Sequence, residues 1–92
     1  MTRPKLDAPV SDEPLNVERL TDYDRLHLIT YLRLLDADQD GAAWQEVAQI
    51  VLKIDPEAEP TRARHAYDTH LARAKWMTRS GYRHLLAGGD FE

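Results

Sequence analysis

The sequence predicts an all-α fold, a small three- to four-helix bundle that forms a helix-turn-helix variant with an extended turn. Apolar residues recur at helical spacing in separate stretches, and segments rich in glycine, proline and acidic residues divide these stretches. No stretch alternates between apolar and polar residues as a half-buried strand does. At 92 residues, the chain is long enough for one domain with a modest core.

The chain is expected to divide into three parts. Residues 1–20 contain three prolines among acidic and polar residues without a hydrophobic period, which predicts a disordered N-terminal arm. Residues 21–87 carry the helical patterns and form the predicted helix-turn-helix-like domain. Gly88 and Gly89 open a flexible tail over residues 88–92.

The first helix is predicted over residues 22–36. Thr21 suits its N-cap, and Asp24 three residues later completes a pattern typical of a capping box. Apolar residues occupy nearly the whole circumference of this helix, so it must be covered on more than one side. We assign the core face to Leu28, Leu32 and Leu35. The apolar residues expected to be partly free are Leu26, Ile29 and Leu34.

A loop over residues 36–42 follows, in which Gly41 is expected to adopt a left-handed conformation. The second helix is predicted over residues 43–53. Its buried stripe is formed at helical spacing by Trp44, Val47, Val51 and Ile54. The next turn is about six residues long and is bracketed by two prolines, Pro56 and Pro60.

The third helix is predicted over residues 60–78, because Pro60 suits the first turn of a helix and Gly81 ends the pattern. Residues 82–86 are expected to form a short hook that folds back on the core. A turn longer than the usual three or four residues before this helix makes the arrangement a helix-turn-helix variant. The inner stripe of the third helix consists of Ala63, Ala66, Tyr67, His70, Ala74 and Met77.

Composition narrows the class of protein. The chain has no cysteine, so neither disulfides nor thiolate metal sites are available to it. No apolar run approaches the length of a membrane span, and the N-terminus lacks the apolar segment of a secretion signal. These features predict a cytoplasmic protein without a membrane partner.

Charge is unevenly placed along the chain, which has a net charge of −4. Residues 1–60 hold thirteen acids against six bases, whereas residues 61–84 hold six bases against Asp68 alone. The overall balance disfavours nucleic acid as a partner, because affinity for phosphates comes mostly from clustered positive charge. The basic C-terminal third leaves that possibility open.

One acidic motif resembles a calcium site. Asp36, Asp38, Asp40 and Gly41 match the first half of an EF-hand loop. The twelfth position of such a loop needs a glutamate that binds calcium through both oxygens, and here that position is Val47. We therefore interpret the motif as an acidic, solvated turn.

No catalytic or metal-binding pattern stands out. None of the four histidines lie four residues apart, the spacing that places two metal ligands on one helix face. His70 lies on the inner stripe of the third helix, which predicts a hydrogen-bonded core histidine. Nucleophile motifs and glycine-rich phosphate loops are absent from the sequence. The sequence thus predicts a protein that is not an enzyme and uses no cofactor, metal or small-molecule substrate.

The candidates for DNA binding lie on the third helix, since the corresponding helix of helix-turn-helix proteins reads the major groove. They are Arg62, Arg64, Arg73 and Arg79. Asp68 lies at the centre of the outward face, and acids at 55, 57 and 59 precede the helix. Because carboxylates repel phosphates, this pattern favours an ordinary solvated helix. Trp76 also lies outward, where it either packs under the hook or anchors a partner protein.

Three segments carry a family resemblance that covers residues 24–86. Residues 28–36 (LITYLRLLD), Gly41 with residues 44–48 (WQEVA), and residues 81–86 (GYRHLL) are similar to a proteobacterial domain found on integrative and conjugative elements. That domain is a helix-turn-helix variant with an extended turn. The most specific parts of the resemblance are the LR-x-LD segment and the closing glycine-tyrosine-arginine-x-leucine-leucine signature.

The resemblance implies a regulatory function. Longer members join this domain to an N-terminal partner domain and activate transcription of transfer genes. Short members include antiactivators of the QseM type, which mimic the activator's own domain and capture its partner domain. A short, acidic chain resembles these antiactivators, and its third helix departs from the arginine-rich pattern of DNA-binding members.

The resulting expectation is an antiactivator that binds the N-terminal domain of a transcriptional activator and blocks transcription activation. DNA is disfavoured as a partner under this expectation. The expected partner-binding residues are Leu26, Ile29, Leu34 and Trp76. The alternative is a small helix-turn-helix transcription factor that acts directly on promoter DNA through Arg62, Arg64, Arg73 and Arg79.

Overall fold

The computed structural model describes residues 9–81, with side chains described as far as Arg79. This range is all-helical and contains no strand, which confirms the predicted class of small helical bundle. A π-helical turn over Met77–Gly81 follows the last α-helix. The helices are α1 (Asp22–Leu26), α2 (Leu28–Gln39), α3 (Trp44–Ile50) and α4 (Pro60–Trp76).

The predicted capping box starts α1. The backbone N–H of Asp24 donates to Thr21 Oγ1 at 3.1 Å, and Asp24 Oδ2 accepts the backbone N–H of Thr21 at 2.9 Å. The single helix predicted over residues 22–36 is divided at His27, whose ψ of 19° departs from helical values. Beyond this break α2 continues to Gln39, further than predicted.

The core lies where α2 and α3 pack against α4. Alanines make up much of the inner face of α4, and their small side chains let the other helices approach closely. This packing fixes which face of α4 is turned outward. The core residues are Tyr31, Leu34, Val47, Ala48, Leu52, Ile54, Ala63, Ala66, Tyr67, Leu71 and Ala74.

The faces of α2 differ from those predicted. Leu34 is completely buried and Leu32 is 65% exposed, the reverse of the prediction. Tyr31 explains the difference, because its hydroxyl donates to Asp24 Oδ1 at 2.9 Å and turns that side of α2 into the core. Leu34 lies three residues further on the same face. Half-buried positions on the helices α1 and α2 include Leu26, Leu28, Ile29 and Leu35.

The connection between α3 and α4 is longer than predicted. It covers residues 51–59, because α3 ends at Ile50 rather than at Lys53. Leu52 and Ile54 are buried and hold this segment on the core. The α3–α4 pair is therefore a helix-turn-helix-like unit with an extended turn. Gly41 has the predicted left-handed conformation, with φ of 73°.

Residues 9–20 precede α1 without regular secondary structure. Leu20 and Pro14 are buried, and the Pro9 carbonyl oxygen lies 2.7 Å from Nε2 of the buried His27. The boundaries predicted at residues 20 and 87 remain a prediction. The hook predicted over 82–86 and the tail over 88–92 lie outside the described residues.

Across residues 9–81, the helices are too short or too polar to cross a membrane.

Candidate nucleic-acid interface

A basic face runs along the outside of α4 and the turn after it. Its side chains are exposed because the opposite side of the helix carries the buried alanines that contact α2 and α3. With 17 residues, α4 is about 25 Å long at a rise of about 1.5 Å per residue. We define the basic face of α4 as Arg62, Arg64, His65, Lys75 and Arg79.

Arg62 lies at the edge of this face and has two acidic partners. Its Nε donates to Asp12 Oδ1 at 2.7 Å, and its Nη1 donates to Glu59 Oε2 at 3.0 Å. These hydrogen bonds raise the pKa of the Arg62 guanidinium above its usual value. The side chain stays 41% exposed, so it remains accessible from solvent.

Arg64 lies two residues after Arg62, with a side chain that is 52% exposed. Its Nε donates to Asp68 Oδ2 at 3.0 Å, one helical turn further on. Its guanidinium carbon is 5.1 Å from the centre of the Trp44 ring at the start of α3, a cation–π distance. A shallow cavity of about 500 Å³ lies between the starts of these two helices. It is lined by Trp44, Pro60, Thr61, Arg64, His65 and Asp68.

The remaining basic side chains follow along α4. His65 Nε2 lies 3.0 Å from Glu13 Oε2, and Lys75 Nζ lies 3.4 Å from Asp38 Oδ2 on α2. Neither His65 nor Lys75 was among the predicted DNA-binding residues. Their outward positions on the helical wheel are the signal that could have identified them.

Arg73, predicted as a DNA-binding residue, is buried instead. Its side chain is 4% exposed and its Nη2 donates to Asp24 Oδ2 at 2.7 Å. Nη1 and Nη2 also donate to the carbonyl oxygens of Val17 and Arg19 at 2.5 and 2.6 Å. Arg73 therefore has its donors turned toward α1 and the preceding segment, and it is removed from the set of phosphate-binding candidates.

Asp24 is the centre of this buried network. Burial by itself raises the pKa of the carboxyl group, but hydrogen bonds from Arg73, the Thr21 backbone and Tyr31 outweigh it and lower the pKa. Burial, followed by the adjacent Asp24 charge, raises the pKa of Tyr31. The network therefore holds an ionised carboxylate and a neutral phenol in the core at neutral pH.

His70 is a hydrogen-bonded core histidine, as predicted. It is completely buried, with Nδ1 donating to the Ala66 carbonyl oxygen at 2.7 Å and Nε2 2.6 Å from the Tyr23 hydroxyl. Burial lowers its pKa below the ordinary value of 6.5. The ring is thus a neutral structural group rather than a ligand facing solvent.

Of the predicted partner-binding residues, Leu34 does not reach the surface and Leu26, Ile29 and Trp76 are half-buried. Trp76 lies beneath the guanidinium of Arg73, whose central carbon is 4.0 Å from the ring centre. Near Trp76, α4 forms one side of a groove of about 590 Å³, and Leu15 lies on the opposite side.

The acidic motif that resembles part of a calcium-binding loop begins within a helix. Asp36 and Asp38 lie within α2, which continues to Gln39. Their backbone is helical, so these two carboxylates are not arranged by a calcium-binding loop.

Comparison with known families gives a match that covers most of the chain. The profile of the RovC DNA-binding domain, described as "T6SS, Transcription factor, DNA binding domain", matches residues 3–87. Comparison with curated protein sequences gave no significant match.

The family match overturns the predicted partner. The expectation that DNA is disfavoured was wrong, and the match gives no support to capture of a transcriptional activator. The error came from giving the net charge and the acids near α4 more weight than the bases that α4 and the turn after it expose. The family consists of DNA-binding domains of transcription factors and is not an enzyme family. The chain belongs to the RovC DNA-binding domain family.

Proposed function

We propose that the chain binds double-stranded DNA through the basic face of α4 and regulates transcription by doing so. The observation that carries the proposal is the division of α4 into two faces. Its alanine-rich side is fixed against α2 and α3, and the opposite side presents cations to solvent. A rigidly held basic helix next to a shorter helix is the arrangement that helix-turn-helix domains use to enter a groove.

The N-terminal half of α4 is the part proposed to lie in the major groove. A helix with its side chains is about 10–12 Å across, and the major groove is about 12 Å wide. Thr61, Arg64 and His65 are exposed at this end and offer donors for base edges or phosphates. Glu59 makes no side-chain capping bond, so the first N–H groups of α4 have no side-chain cap and can face a phosphate.

The acids on and beside the basic face, including Asp68 on α4, do not prevent this function. The pairs made by Arg62, Arg64 and Lys75 are exposed on both sides. Exposed pairs of this kind contribute little to stability and are screened by salt. Duplex DNA presents a dense row of phosphates and gains counterion release on binding, which favours exchange of these partners.

The proposal is tested by titrating a labelled duplex carrying promoter sequence with the protein while fluorescence anisotropy is measured over a range of salt concentrations. We expect an affinity that falls steeply with salt, and a loss of about fivefold or more for Arg64→Ala. If Arg64 contacts a phosphate, the slope of log affinity against log salt falls by about 0.9.

Arg19→Ala is the matched control, because Arg19 is exposed before α1 and the variant has the same charge change. It is expected to weaken binding much less than Arg64→Ala. Absence of binding by the folded wild type at low salt would contradict the proposal. Equal losses of DNA affinity in Arg64→Ala and Arg19→Ala would also contradict it.

A further inference from the structure

The segment before α1 crosses the basic face of α4. We define the N-terminal strap as residues 9–20. Its C-terminal end is held firmly, because Leu20 is 3% exposed and the buried Arg73 guanidinium donates to the carbonyl oxygens of Val17 and Arg19. This end is part of the core network around α1 and α4.

The N-terminal end of the strap is also attached to the helices. Ser11 N–H donates to the Tyr23 hydroxyl at 3.0 Å, and the Pro9 carbonyl oxygen lies 2.7 Å from His27 Nε2. The residues between this end and the C-terminal end of the strap are thereby held beside α4.

Two carboxylates occupy that intermediate position. Asp12 Oδ1 accepts from Arg62 Nε at 2.7 Å, and Glu13 Oε2 lies 3.0 Å from His65 Nε2. Both Arg62 and His65 belong to the basic face of α4. The strap thus places negative oxygens against the groups proposed to contact DNA phosphates.

We propose that Asp12 and Glu13 act as built-in competitors of DNA phosphates, so that the strap limits the affinity of α4 for DNA. This inference rests on the proposed function, because it concerns regulation of the same surface. A phosphate and a carboxylate both accept hydrogen bonds from a guanidinium, and one Arg62 Nε–H cannot serve both fully.

The exposure of the two carboxylates makes local exchange feasible. The Asp12 and Glu13 side chains are each 63% exposed, whereas the Arg73 bonds at the other end are buried. Exposed pairs are weak, and their removal changes an equilibrium by up to about fivefold each. DNA can therefore displace the carboxylates while Leu20 and Arg73 keep their places.

The test compares two double variants with the same charge change. Asp12→Asn with Glu13→Gln removes the competing charges but keeps the shape of the strap. Glu18→Gln with Asp36→Asn is the control, because both side chains are exposed and neither makes a described bond to α4. We measure the Kd of each for the same labelled duplex at one low and one near-physiological salt concentration.

The strap variant is expected to bind about fivefold or more tightly than the control. Asp12→Asn alone is expected to lose its effect when Arg62→Ala is also present, because its partner is gone. Equal affinities of the two double variants, with wild type binding DNA, would overturn this inference and leave the proposed function standing.

Failure of the proposed function gives a different result. In that case neither wild type nor the strap variant binds the duplex at low salt, although circular dichroism shows both to be helical. Tighter binding by the strap variant than by wild type, with wild-type binding still measurable at low salt, would support both proposals. Thermal melting of every variant shows whether a change in affinity comes from loss of fold.

Discussion

The Arg73 guanidinium and the Asp24 carboxylate, 49 positions apart in sequence, form a buried ion pair with a distance of 2.7 Å between Nη2 and Oδ2. The pair joins α4 to the start of α1. Through its bonds to the Val17 and Arg19 carbonyl oxygens, Arg73 also holds the base of the N-terminal strap. One side chain therefore connects α4, α1 and the strap.

Breaking this pair is expected to destabilise the fold strongly. Asp24→Asn leaves the Arg73 charge buried without its counterion, which costs about 3–5 kcal/mol of unfolding free energy. Urea denaturation followed by circular dichroism measures this loss. Asp22→Asn is the control, because the Asp22–Arg25 pair has an 83% exposed carboxylate and is expected to matter by less than about 1 kcal/mol. Similar losses in the two variants would show that the buried pair has no special role.

Local signals were the part of the fold that the sequence could predict. Thr21 and Asp24 form the predicted capping box, Pro60 begins α4, and Gly41 has the left-handed conformation. Each of these depends on residues within one helical turn. The break at His27 was missed, and local spacing does not show the contact of its ring with the Pro9 carbonyl oxygen, 18 residues away.

The buried and exposed faces that the structure gives to α2 can be tested with two leucines on this helix. Leu34→Ala is expected to lower the unfolding free energy by about 2–5 kcal/mol, because it leaves a cavity in the core. Leu32→Ala, at a position 65% exposed, is expected to change it by less than about 1 kcal/mol. Chemical denaturation measures the unfolding free energy of each variant against that of the wild type. A larger loss for Leu32→Ala would restore the face assignment predicted from the sequence.

Acidification is expected to destabilise the protein through His70. Because burial lowers the pKa of His70 below 6.5, the unfolded chain binds a proton more readily than the folded chain. The stabilisation that neutral His70 contributes is therefore fully present above the pKa that this histidine has in the unfolded chain. It is lost as the pH falls toward the pKa of His70 in the folded chain. The slope contributed by one such group is at most about 1.4 kcal/mol per pH unit.

The measurement is the unfolding free energy between about pH 7 and pH 5 for wild type and His70→Gln. His70→Gln is expected to be less stable at neutral pH but to lose part of the pH dependence. His65→Gln, at an exposed position, serves as the control. A pH dependence unchanged by His70→Gln would exclude His70 as its source.

The candidate site was only partly predictable. Arg62 and Arg64 are exposed on α4 and Arg79 on the turn after it, but Arg73 is buried by a partner on α1 that no spacing rule identifies. Leu34 failed as a contact residue because α2 is apolar on nearly every side, so periodicity did not define its inner face. The distribution of charge on α4 was visible in the sequence, but the net charge and the acids near this helix were given too much weight.

The central claim is that the outer face of α4 contacts DNA, and amide chemical shifts measured by NMR during titration with a promoter duplex test it most directly. We predict that the largest shifts occur over residues 61–68, with smaller ones at the start of α3 near Trp44. The exposed face of α2 around Leu32 is expected to change little. Shifts concentrated on α2, or no shifts at low salt, would contradict the account.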